Sequence, residues 1–224
     1  TLSMVAVAAG PGHADRLRLN EAEVYDLLEA IGLAACPRLA GSREQAAGGK
    51  WAAGAAALAD AQGRLVLKVL GRDILHKSDV GGVAVLELPA HGRAEAVSAA
   101  AGDLLRRVEA AGSGSLIEGV LATAFVPHRA NVPGQEVLLS VRLDPAFGPV
   151  VVIGVGGVLT EWYGRGTAGR SRLILPAAGL TASAAAAAIA AHPLLGLLCS
   201  PSRLYPQPPL APAVLGEAVA ALAG

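Results

Sequence analysis

The chain is poor in aromatic rings, sulfur and net charge. Phe, Trp and Tyr together make up 3% of its 224 residues, so a core has to be assembled from Leu, Val, Ile and Ala. Such residues suit α/β layers, where branched side chains fill strands and alanine lets helices approach closely. Cys36 and Cys199 are too few and too far apart for a disulfide framework or a zinc site, and they read as reduced, buried thiols. Lys plus Arg and Asp plus Glu both number 18, so no basic excess exists to follow a nucleic acid. The clearest basic cluster, Arg165, Arg170 and Arg172, is short and has only Trp162 and Tyr163 beside it.

Long hydrophobic runs are missing too. The most membrane-like stretch, TASAAAAAIAAHPLLGLLCS (181–200), is mostly alanine and is broken at His192-Pro193, whereas a spanning helix needs about 20 strongly apolar residues. No charged region precedes the apolar patch at the start, which makes a poor signal peptide. We therefore expect a cytoplasmic chain that binds neither membrane nor nucleic acid. Its first residue is Thr1 and its single methionine is Met4, and we read 1–18 as a leader or linker of a longer chain. The dinucleotide fingerprint G-x-G-x-x-G, the phosphate loop G-x-x-x-x-G-K-[ST] and the nucleophile elbow G-x-S-x-G are all absent.

What is present is a mixture of short strands and amphipathic helices. LNEAEVYDLLEAIG (19–32) predicts a helix with Asn20 as N-cap, Glu23 in capping-box position and Gly32 as stop; Val24, Leu27, Leu28 and Ile31 form its apolar face. An extended piece reaching Pro37 and an alanine-rich helix follow. LVLKVL (65–70) and VAVLEL (83–88) read as strands, AEAVSAAAGDLLRRVEAAG (94–112) as a helix, and GVLATAFV (119–126) and QEVLLSVRLD (135–144) as further strands. FGPVVVIGVGGVLTEW (147–162) runs through a buried strand into a glycine cluster. The tail holds the alanine helix, a proline-rich link and a last helix carrying Leu215, Val219 and Leu222. Strands and helices do not alternate strictly, so antiparallel-rich α/β subdomains are expected rather than a doubly wound sheet.

Several residues have chemistry to offer. Lys68 interrupts an apolar strand, either as an edge or snorkelling lysine or as an ammonium projected toward phosphate. The loop ILHKSDVGG (74–82) gathers His76, Lys77, Ser78 and Asp79, and Gly81-Gly82 can turn backbone amides toward an anion, although a polar hairpin turn looks much the same. Glu136 sits one residue into its strand, where a lone carboxylate is usually solvated. Glu161 follows the GVGG cluster (154–157) as a candidate Mg²⁺ ligand or a plain charge at a strand end.

Taken in order, LNEAEVYDLLEAIG, LVLKVLGRDILHKSDVGGV and PGQEVLLSVRLDPAFGPVVVIGVGGV resemble the ATP-grasp part of the nucleoside-diphosphate-forming (ADP-forming) acyl-CoA synthetases, relatives of the succinyl-CoA synthetase β chain. The resemblance runs from about Leu19 to Pro176. It implies an ATP-grasp fold with an N-terminal subdomain over 19–125, a C-terminal one over 126–224 and a nucleotide cleft between them. The implied module binds ATP or ADP with Mg²⁺ and exchanges phosphate with a phosphohistidine. Its partners would be CoA-binding and CoA-ligase domains of the same or another chain, through which a carboxylic acid or acyl-CoA reacts, and an oligomer is possible in such a family. By position, Lys68, Lys77, Ser78, Gly81, Gly82 and Glu136 would bind nucleotide, His76 would relay phosphate and Glu161 would stand near the metal.

Three departures qualify this. Thr123 and Ala124 stand where the family carries a Gln-Glu pair near the adenine, the segment after Glu161 is altered, and the closing metal-binding strand motif is absent. They fit either a cut catalytic module or a degenerate regulatory one, a nucleotide or acyl-CoA sensor such as some protein lysine acetyltransferases carry. An unrelated α/β binding domain is a third reading.

Overall fold

The structure is a computed structural model that describes residues 2–3, 19–74, 77–129, 132–157, 159–166, 171–203 and 205–224; of Leu159 and Glu161 it describes the backbone alone. Leaving aside the short N-terminal strand β1 (Leu2–Ser3), the chain divides into one compact unit of Arg18–Glu29 and Ala34–Val126 and another of Ala30–Leu33 and Pro127–Gly224. Each is built on a four-stranded sheet.

The first unit opens with α1 (Glu21–Ala30). The Asn20 side chain accepts the Ala22 and Glu23 amides at 3.0 and 3.1 Å, and Glu23 accepts the Asn20 amide at 2.7 Å, so the capping box forms as read. Strands β2 (Arg38–Ser42), β3 (Arg64–Leu70), β4 (Val83–Glu87) and β5 (Gly119–Ala124) pair antiparallel in the order β2-β5-β3-β4. Strand alternation sends Leu65, Leu67, Val69, Val120 and Ala122 to one face. There they meet Trp51, Ala52 and Ala55 of α3 (Gly49–Ala56) and Val97, Ala101, Leu104 and Val108 of α4 (Arg93–Val108). By the same alternation Lys68, Leu121 and Thr123 point the other way, and Lys68 there meets Glu21 of α1.

Three expectations change here. A strand, β2, begins directly after Pro37, and a short helix α2 (Arg43–Ala46) separates it from α3, so the alanine-rich segment is not one helix. Leu27 lies on the exposed side of α1, where Val24 and Leu28 are the residues buried. And β3 is an interior strand, which removes the edge reading of Lys68.

The second unit orders its sheet β1-β6-β7-β8, with β6 (Val137–Asp144), β7 (Gly148–Val155) and β8 (Arg172–Pro176) antiparallel to one another and β1 parallel to β6. The LILP run in β8 was too short to stand out as a strand in the sequence. Val137, Leu139, Val151, Ile153 and Val155 pack on α6 (Ala182–Ala191), α7 (Pro193–Leu198) and α8 (Pro212–Ala223) through Ala185, Ile189, Leu195, Leu215, Ala218 and Val219. Between β7 and β8 runs α5 (Leu159–Gly166). Both cysteines are free and half-buried rather than buried, Cys36 near the Tyr25 hydroxyl and Cys199 at the end of α7. Among the described residues no helix is long and apolar enough to cross a membrane.

Candidate functional site

Lys68 sits in mid-strand on β3 with its ammonium 2.5 Å from Glu21 Oε1, and Lys77, in the loop before β4, reaches Glu21 Oε2 at 3.1 Å. One carboxylate thus holds two cations, one on each oxygen. The Tyr25 hydroxyl, one helical turn further on, donates to Glu21 Oε1 at 3.1 Å. Burial acts to raise the Glu21 pKa, but Lys68 and Lys77 outweigh it and hold the carboxyl below its ordinary value of 4.5. Burial, the Glu21 charge and Cys36 push the Tyr25 phenol the other way, upward, so it stays a donor. Two ammoniums brought to one carboxylate repel each other, and unit charges about 5 Å apart would do so by roughly 3 kcal/mol at an effective dielectric of about 20. Glu21 offsets that repulsion. Each ammonium has three donors, of which one goes to Glu21 among the described residues, and the side chains of Lys68 and Lys77 are 25% and 21% exposed.

Of the two readings left open for the glycine loop, the structure takes the turn. The Gly81 amide donates to the Ser78 carbonyl at 3.2 Å and the Gly82 amide to the Lys77 carbonyl at 2.7 Å. Both amides therefore close the loop on itself, and the anion nest is not formed. Gly82 is required for another reason: a Cβ there would stand 2.5 Å from Val69 Cγ1 and 3.0 Å from the Lys77 carbonyl. Ser78 is exposed. His76 lies outside the described residues.

Glu136 belongs to the second unit, at the entrance to β6. Its carbonyl accepts the Gly156 amide at 2.9 Å, its carboxylate stands 3.7 Å from His128 Nε2, and the same carboxylate lies against the Cα of Gly157, where a Cβ would overlap it. With Gly156 a Cβ would come within 2.9 Å of the Val137 backbone. The GVGG cluster is therefore a tight exit from β7 that lets Glu136 fold over it, and Gly157, at φ +65°, makes the bend. Glu161 is in α5 and not at a strand end; its side chain lies outside the described residues. Among the described residues no group of three or more His, Cys, Asp or Glu is gathered to hold a metal. The donors seen suit phosphate, and no metal step can be drawn from them.

Glu21 is the functional candidate that sequence reasoning missed. A carboxylate in a first helical turn is ordinarily a complement to the helix dipole, and nothing local brings it to a lysine 47 positions away. Thr123, in place of the family's polar pair, is buried in β5 opposite Val66 and Arg38. A groove of about 560 Å³ between α1 and β2 is lined by Asp26, Glu29 and Arg38 and by none of the residues picked from sequence.

Two antiparallel α/β units, with paired lysines held at the sheet of the first, define the class, and comparison gives the family. The model for the ATP-grasp domain matches residues 12–198, and the chain belongs to that family. It is 37% identical over 97 residues to the acetate–CoA ligase [ADP-forming] I of Archaeoglobus fulgidus, a match spanning 43% of this chain and 13% of that protein. It is 33% identical over 98 residues to the 4-hydroxybutyrate–CoA ligase [ADP-forming] of Nitrosopumilus maritimus, again 43% of this chain and 13% of that protein. In fold it is similar to the dinucleotide-forming acetyl-coenzyme A synthetase 1 of Ca. Korarchaeum cryptofilum, solved with coenzyme A and Ca-AMPCP. The TM-score is 0.66 at 24% identity, over 91% of this chain and 77% of that one. A Pyrococcus horikoshii structure gives a TM-score of 0.68 at 19% identity, over 92% of this chain and 77% of that one.

Proposed function

We propose that the chain is the nucleotide-binding module of an ADP-forming acyl-CoA synthetase. In that reading it binds ATP or ADP with Mg²⁺ and exchanges phosphate with a phosphohistidine carried by separate CoA-binding and CoA-ligase domains, in a cytoplasmic enzyme. The net reaction interconverts acid, CoA and ATP with acyl-CoA, ADP and phosphate. The observation that carries the proposal is the Lys68 and Lys77 pair, two partly exposed cations held together by Glu21, because phosphoryl transfer needs fixed positive charge. The named relatives are ligases of this kind, which favours the synthetase over the regulatory alternative, and one Korarchaeum structure of the same fold is a complex with Mg-AMPPCP. We read 19–125 as the N-terminal subdomain and 126–224 as the C-terminal one.

In this reading Lys68 and Lys77 neutralise nucleotide phosphates, Glu136 lines the nucleotide site, Ser78, Gly81 and Gly82 shape the loop and Glu161 approaches the metal. His76 takes the phosphate, since an imidazole with a pKa near 6.5 is partly neutral and nucleophilic at working pH. In the complete enzyme, His76→Ala is expected to keep Mg-ADP affinity and lose ATP formation from acyl-CoA, ADP and phosphate. Turnover at the wild-type rate would take His76 out of the mechanism.

A further inference from the structure

We infer that Glu21 is a positioning residue for the phosphate site: it holds the Lys68 and Lys77 ammoniums side by side so that their remaining donors face an incoming nucleotide phosphate. The inference rests on the nucleotide reading above. Three observations carry it. Each Glu21 oxygen takes one lysine, at 2.5 and 3.1 Å, so the carboxylate joins the ammonium of a strand residue to that of a loop residue. Glu21 is itself fixed, because it is 14% exposed, accepts the Tyr25 hydroxyl at 3.1 Å and projects from the capped first turn of α1. A carboxylate so held does not swing aside as a displaceable plug would. And the bridge leaves the triad with one net positive charge and, among the described residues, unspent N–H donors, which is the state an anion site requires.

Without Glu21 the two ammoniums would repel and turn separately to solvent, and a phosphate would have to order both again. Fixing a long side chain costs about 0.5–1.5 kcal/mol, which is about 3- to 10-fold in affinity for each lysine set free. The test is calorimetric titration of the purified chain with Mg-ADP for wild type, Glu21→Gln, the Lys68→Met/Lys77→Met pair, and all three changes together, with thermal unfolding run on each. Glu21→Gln is expected to weaken Mg-ADP about tenfold, with no further loss when it is added to the double lysine variant. A role confined to helix α1 would cost affinity in both backgrounds. Equal or tighter binding by Glu21→Gln, with the lysine variant weakened, overturns the positioning role and leaves the nucleotide reading standing. If the lysine variant binds as wild type does, the nucleotide reading itself fails.

Discussion

Truncating Lys68 does two things at once. It removes a cation from the proposed phosphate site, and it leaves the Glu21 carboxylate with Lys77 as its remaining ammonium partner. We expect Lys68→Met to lose about 1–3 kcal/mol of stability by the second route. Adding Glu21→Gln should restore part of it, since the pair is then removed together; thermal unfolding of the single and double variants measures this, and additive losses would mean that the two residues do not interact. Gly157→Ala puts a methyl group into the Glu136 carboxylate at φ +65° and should cost about 1–3 kcal/mol, again read as a lowered unfolding midpoint. At this scale the sequence was legible where chemistry clusters locally, as in the Lys77-to-Gly82 loop, or interrupts a pattern, as Lys68 does. It was illegible where one residue comes from far away. Glu21 looked like helix-start chemistry, and only the docking of α1 on β3 makes it more.

That docking combines two buried aliphatic side chains with several ion pairs. α1 buries Val24 and Leu28, and is otherwise held at its start by Glu21 on Lys68 and toward its end by Arg38, whose guanidinium meets Asp26 at 2.6 Å and Glu29 at 2.8 Å. Helix α4, by contrast, buries Val97, Ala101, Leu104 and Val108 completely. Hydrogen exchange should therefore find the α1 amides less protected than those of α4, and Arg38→Ala or raised salt should widen the gap; salt-independent protection of α1 would contradict it. In the other unit the alanine-rich α6 and α8 lie so close that a Cβ on Gly216 would overlap the Ala182 carbonyl. Gly216→Ala should thus destabilise by about 1–3 kcal/mol despite alanine's better helix propensity, and an unfolding midpoint at or above that of wild type would show that the helices can part. Periodicity gave most of these elements, α1 with its cap and stop, β3, β4, β5 and the α8 face. It failed at β2 and β8, where RLAGS and RLILP lack the run of apolar residues that marks β4.

For the whole molecule, equal numbers of acidic and basic residues conceal specific pairs whose loss sets its acid limit. The Arg72 side chain, and then its backbone amide and Asn20, hold Glu118 at about 2 against an ordinary 4.5, and Glu21 is lowered as well. Carboxyls depressed in the folded state stabilise it fully above their unfolded values near 4.5, and that contribution drains away as pH falls toward the folded ones. Unfolding midpoints should accordingly hold from neutral pH to about 5 and then drop toward pH 2, and Glu118→Gln should flatten the drop; an unchanged profile would mean the pair adds nothing. The family was legible because its motifs stand in order along most of the chain. The Glu21 bridge between Lys68 and Lys77 was not, since it depends on a helix and a strand meeting. The account as a whole turns on whether phosphate is bound there. Calorimetric titration of the purified chain with Mg-ADP, wild type beside Lys68→Met, asks this directly. We predict saturable binding by wild type that falls about 10- to 100-fold in the variant, the loss of one charge-assisted contact; equal affinity of the two would contradict it.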